Sequence, residues 1–104
     1  IWDLAVDGWD SVENGFEPVL RQPVDVSSLA SVEAAFAETL ARLGQVQILV
    51  NNAGINAPAV PVDELPLENW RNVIATNVDG VFLCARAAFG LMRRQQPQGG
   101  RIIN

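Results

Sequence analysis

The clearest candidates for chemistry on this chain are amides and carboxylates. The sequence has no histidine and no tyrosine, and Cys84 is its single cysteine. An imidazole base and a thiolate cluster are therefore both excluded, and no metal site is expected. What remains is Asn51-Asn52-Ala53-Gly54, Asp3, Asp25 and Asn77. The first group follows the apolar run Ile48-Leu49-Val50. An asparagine amide can cross-link neighbouring backbone groups, and Ala53 and Gly54 leave room for a ligand or a second backbone to come close. On these four residues alone, a plain turn explains them equally well. Asn77 stands inside a long helical pattern, where an amide competes for backbone partners. A helix that keeps one there bonds it across a local break, uses it to hold water, or turns it to solvent.

The elements that must position these groups follow from periodicity. Ile48, Leu49 and Val50 form an apolar run without alternation, which suits a strand covered on both faces. Before it, Leu29, Val32, Phe36, Leu40 and Leu43 recur at helical spacing. Ser27 or Ser28 caps that helix and Gly44 stops it. Ile1-Trp2-Asp3-Leu4 reads as the end of a strand and residues 19–24 as another, with Pro23 at an edge or an end. The stretch 5–18 is broken by Gly8, Asn14, Gly15 and Pro18. Residues 55–62 form a loop. Pro66 suits the first turn of a second helix, whose apolar face runs from Trp70 through Val73, Ile74, Val78 and Val81 to Met92. Residues 97–100 read as a turn and 101–104 as a further strand. Helix, strand, helix, strand is the order of an α/β fold, in which ligands sit beyond the carboxyl ends of the strands.

In dinucleotide-binding folds of this kind, an acid at the end of the second strand accepts hydrogen bonds from the adenosine ribose hydroxyls and repels a 2′-phosphate. Asp3 holds such a position; an ordinary solvated aspartate is the alternative. Asp25, at the end of the next strand, fits a helix-capping role and a ligand role alike.

Three motifs together carry a resemblance. Asn51-Asn52-Ala53-Gly54 behind an Ile-Leu-Val strand, Asp25-Val26 upstream and Asn77-Val78-Asp79-Gly80 downstream resemble the short-chain dehydrogenase/reductase family in type and spacing, over nearly the whole chain. The resemblance implies a Rossmann-type doubly wound parallel sheet, incomplete here, with its first strand and C-terminal part outside the chain. It implies an NAD-dependent oxidoreductase that interconverts a small-molecule alcohol and a carbonyl by hydride transfer, with NADP the less favoured cofactor. Asp3, Leu4, Asp25, Val26, Asn51, Ala53 and Gly54 then belong to the adenosine half of the cofactor site. Asp25 would accept from the adenine amine and Val26 would offer backbone groups. Asn77 matches the catalytic residue that anchors a water on the family's proton relay. The glycine-rich phosphate loop is expected before Ile1, and the serine and Tyr-x-x-x-Lys pair after Asn104. The intact parent would be active and these residues alone inactive. A homo-oligomer is also implied, a dimer or homotetramer paired through the helix at residues 81–92. The competing reading is a Rossmann-type module that senses a redox cofactor and does no chemistry.

Composition narrows the partners. The net charge is −5 with seven Lys+Arg, and Arg93-Arg94 is the single basic pair, so there is no basic stripe for nucleic acid. No uninterrupted apolar run reaches the ~18 residues of a membrane span, and no signal-peptide pattern opens the chain. One unpaired cysteine fits a reducing, cytoplasmic setting. The chain opens on Ile1 and closes on Asn104 as if inside two strands. We therefore expect an internal fragment, one partial NAD(P)-binding domain over residues 1–104 with no second domain.

Overall fold

The structure, a computed structural model, describes residues 2, 3 and 20–104, with Asp3 described by its backbone alone. Leu4 and the broken stretch around Trp9 lie outside the described residues. The order is β1 (Trp2–Asp3), β2 (Gln22–Pro23), α1 (Leu29–Leu43), β3 (Ile48–Val50), α2 (Leu67–Ile74), a wide π turn (Ala75–Asp79), α3 (Gly80–Met92) and β4 (Arg101–Ile103). The strands form two separate parallel pairs, β1 with β2 and β3 with β4. No strand among the described residues joins β1 to β3. The two parallel pairs correspond to neighbours 3-2 and 4-5 in a doubly wound sheet of order 3-2-1-4-5-6.

α1 begins where Ser28 accepts from the Ser31 N–H and ends at Gly44, whose φ of 78° closes the helix with an N–H donated to the Leu40 carbonyl. A side chain at that φ would be strained, so glycine is the residue that stops the helix here. Its buried face is narrower than the periodicity predicts. Val32, Ala35 and Phe36 are buried, while Leu29 and Leu43 at the two ends are exposed.

The core is a single layer between helices and strands. Val32 and Phe36 of α1, Leu49 of β3, and Cys84, Ala88 and Met92 of α3 pack together. Trp2 meets Phe36 edge to face, with ring centroids 4.6 Å apart, and so ties the β1–β2 half to α1. Burying each of the larger side chains contributes roughly 1.5–3 kcal/mol.

Two expectations are corrected here. β3 is not covered on both faces: Leu49 is buried, but Ile48 and Val50 are each 59% exposed. The described helices α1 and α3 both pack on the Leu49 side, so residues alternate in burial instead of forming a continuous buried run. Nor can all of the helix at residues 81–92 serve as a shared outer surface: Ala88 is 0% exposed and packed in the core, whereas Phe82 and Phe89 are each 62% exposed. An arginine at 88 would disrupt the fold before it could report on any assembly.

Leu67–Met92 runs as one continuous helix, long and apolar enough to cross a membrane by length and composition. Sequence reading missed this because no single run is uninterrupted. Asp79 and Arg86 lie within it, and Gly80, Cys84, Ala88 and Met92 bury one face in the core, so it reads as the core helix of this fold.

Candidate functional site

The site is assembled at the carboxyl ends of β2 and β3. Asp25 follows β2 and makes a tight local network. Its Oδ1 accepts from the Ser27 N–H at 2.9 Å and from the Ser27 hydroxyl at 2.6 Å. Its carbonyl accepts from the Ser28 N–H and its own N–H donates to Ser31 Oγ. This is an Asx-type turn that leads into α1. The capping role is thus real, and it uses Oδ1; neither of the Ser27 bonds involves Oδ2.

Asn51 ends β3 by holding β4. Its backbone N–H donates to the Ile103 carbonyl at 2.8 Å, and its Nδ2 donates to Asn104 Oδ1 at 2.8 Å. The amide cross-link anticipated for this residue therefore joins the ends of two adjacent strands. Asn52, Ala53 and Gly54 follow in exposed, irregular backbone.

Asn77 lies in the wide turn, and its amide faces the loop after Gly54. The Ile55 N–H donates to Asn77 Oδ1 at 2.9 Å, and Asn77 Nδ2 donates to the Ile55 carbonyl at 2.9 Å. Of the readings open for a mid-helix asparagine, the bond across a local break is the one observed. The break is the π turn itself, where the Gly80 N–H reaches back to the Ala75 carbonyl, five residues away. Such a turn shifts backbone carbonyls out of their usual pairing and occurs frequently at functional sites. The Asn77 amide still has a second N–H and a second lone pair beyond the Ile55 bonds.

Gly54 stands beside this clamp. A Cβ there would lie 3.6 Å from Asn77 Oδ1, an ordinary contact, so Asn77 does not require the glycine. Its small size instead keeps the exposed side of the turn open. Val26, Asn51, Ala53, Thr76, Gly80 and Cys84 meet around a cavity of about 10 Å³, at or below the space for one water. Residues of the three motifs that are distant in sequence thus line one small space. Cys84 is the one titratable group there with a clear shift: burial pushes its thiol above the ordinary value of 9.0. Because the folded state holds that proton more tightly, this stabilising contribution is intact below the unfolded thiol's pKa. It is lost as pH climbs through the folded one.

A larger depression, about 350 Å³, lies at the opposite end, beside Gln47, Ile48 and Arg101. It opens at the amino ends of β3 and β4, where an α/β sheet does not place its ligand. Gln95 is occupied there in holding Val46 and Gly99 through its amide. We assign it no ligand.

Sequence reading missed Ile55, Ser27, Ser31 and Asn104 as partners of the motif residues. Gly80 entered the sequence reading as the last residue of the Asn77-Val78-Asp79-Gly80 motif, without a role of its own. Asp3 ends β1 in register with Pro23, and its side chain, like all of Leu4, lies outside the described residues.

Comparison with known proteins decides the family. The sequence profile described as short chain dehydrogenase matches residues 10–104. The chain belongs to the short-chain dehydrogenase family. Its Rossmann-type α/β architecture is shared with solved family members. A 3-ketoacyl-(acyl-carrier-protein) reductase from Brucella melitensis, complexed with NADH, superposes with a TM-score of 0.75 at 32% identity, covering 80% of this chain and 35% of that one. A short-chain type dehydrogenase/reductase from Mycobacterium marinum gives 0.74 at 36% identity, over 80% of this chain and 33% of that one. The 2-dehydro-3-deoxy-L-rhamnonate dehydrogenase (NAD(+)) of Sphingomonas is 36% identical over 104 residues, which is 100% of this chain and 41% of that protein. The chain thus spans under half the length of these short-chain dehydrogenase relatives.

Proposed function

We propose that the full-length protein is an NAD-dependent oxidoreductase that interconverts a small alcohol and the corresponding carbonyl. In this reading, residues 1–104 are the adenosine half of one Rossmann domain plus one member of the catalytic group. The observation that carries it is the convergence of Asp25-Val26, the 51–54 turn and Asn77 in one place at the strand ends. The residues fit a dinucleotide: the turn after β3 is exposed and made of small residues, and Asp25 keeps one carboxylate oxygen that makes neither Ser27 bond. When bound, the nicotinamide gives or takes the hydride. The chain's own residues bind and orient. Asp25 accepts from the adenine amine and Val26 offers backbone groups. Asn51, Ala53 and Gly54 let the adenosine ribose approach the backbone. Asn77 anchors the relay water, with its amide fixed by Ile55. The proton-donating tyrosine is not among these residues, since the chain has none. The lone, buried Cys84 supports a cytoplasmic setting.

NAD is the preferred cofactor in this reading because a carboxylate at the end of β1 repels a 2′-phosphate. At about 4 Å and an effective dielectric of 20, that repulsion is of the order of 4 kcal/mol per unit charge. The full-length protein is expected to prefer NAD over NADP in kcat/KM by roughly ten- to a hundredfold (~1.4–2.8 kcal/mol). Asp3→Ala should erode that ratio more than it harms turnover with NAD. A wild-type preference for NADP refutes the assignment.

We further propose that the protein is a dimer or tetramer. Val78, Phe82, Ala85 and Phe89 fall at helical spacing along one side of the helix, and Val78, Phe82 and Phe89 are exposed. A second copy presenting the same stripe would cover it. Phe89→Asp is expected to lower the mass in light scattering while circular dichroism stays native. An unchanged mass removes this helix from the interface.

A further inference from the structure

We infer that Gly80 is a positioning residue for cofactor binding: its missing side chain lets the helix hold the Val26 backbone in place for adenine. The inference rests on the adenine reading of Asp25-Val26 given above. Gly80 is buried, with φ −59° and ψ −44°, values any residue adopts in a helix. Glycine is a poor helix former, so neither conformation nor propensity explains it. Space does. A Cβ built on Gly80 would stand 2.8 Å from Val26 Cγ2, 3.2 Å from Val26 Cβ and 3.3 Å from the Val26 carbonyl oxygen.

The first of these contacts cannot persist; something must move. Val26 is β-branched and stiff about χ1, so rotation exchanges one methyl for another. The cavity beside it, about 10 Å³, is too small to receive a displaced methyl. Gly80 is fixed in the helix wall, as the first residue of α3. The yielding part is therefore the Val26 segment, whose neighbour Asp25 is already set by Ser27, Ser28 and Ser31. A shift there moves the backbone groups that adenine would meet. It leaves Asn77, one helical turn earlier, in its clamp with Ile55.

The test uses the full-length protein and three variants: Gly80→Ala, Gly80→Ala with Val26→Ala, and Asp25→Ala. For Gly80→Ala, the calorimetric Kd for NADH and for AMP is expected to rise about tenfold, with kcat at saturating NAD within about twofold. The double variant removes Cγ2 and should recover most of the lost affinity, including where Gly80→Ala alone proves too unstable to assay. Wild-type affinity in Gly80→Ala overturns the inference, as does a double variant that folds but does not recover. An equal loss in kcat, with AMP binding unchanged, overturns it too. Asp25→Ala separates the two levels. Weakened AMP binding there with an unaffected Gly80→Ala sinks the positioning role alone. Unweakened AMP binding in Asp25→Ala sinks the adenine reading beneath it.

Discussion

Asn77→Ala in the full-length protein is expected to lower kcat by about a hundredfold while the KM for NAD changes by less than about threefold. The magnitude follows from what a single positioned group contributes to proton transfer, roughly 10²–10⁴-fold. The reason lies in the two-bond clamp. Asn77 supplies both the acceptor and the donor that satisfy the Ile55 N–H and carbonyl. Alanine leaves both backbone groups without their partner and frees the loop after Gly54. It also takes away the amide that keeps the wide turn in register with that loop. Part of the loss will appear as stability, about 0.5–1.5 kcal/mol, because Ile55 is exposed and water can take over its backbone groups. Asn77→Asp tells the roles apart. Its carboxylate can accept from the Ile55 N–H but faces the Ile55 carbonyl with no donor, so we expect intermediate stability and low turnover. Stopped-flow measurement of hydride transfer alongside thermal denaturation checks both. Full turnover in Asn77→Ala would leave the residue a purely structural clamp.

Residues 1–104, expressed by themselves, are expected to show no cooperative thermal transition and no calorimetric NAD binding at micromolar concentration. The sheet is in two pieces, each of two strands. A two-stranded sheet is marginal in water unless a helix covers it. Here α1 and α3 cover one face only, and Ile48, Val50 and Ile103 are exposed on or beside β3. Among the described residues each strand has one strand neighbour only, and an open strand edge invites association between copies. Residues 1–104 also contain no Gly-x-x-x-Gly-x-Gly run of the kind that opens a pyrophosphate-holding helix. Aggregation on concentration is the expected behaviour. A sharp two-state transition together with micromolar binding would show that the Trp2–Phe36 contact and the single core layer suffice to fix both halves.

The sequence by itself determined the elements and the family. The α1 boundaries were legible to within one residue, Ser27 or Ser28 at the start and Gly44 at the end, because a cap, an apolar period and a stop residue agree. β3 was legible as an apolar run, and the three motifs were legible as a set at family spacing. These are local signals, readable wherever the chain goes. The tertiary structure decided what touches what. That Asn51 would spend its amide on Asn104, and Asn77 on both polar groups of Ile55, depends on strand register and on a π turn. Asn77 is out of place in a helix by residue type, but the form of the break, a π turn, is set by the backbone bonding of the folded chain. Which face of α3 is core was equally hidden. Ala88 and Phe89 are adjacent and both apolar, yet one is buried and the other largely exposed, because apolar residues surround that helix and only packing selects the inward side. The Gly80–Val26 contact joins residues 54 positions apart, and it exists only because the helix and the strand end were brought within van der Waals reach.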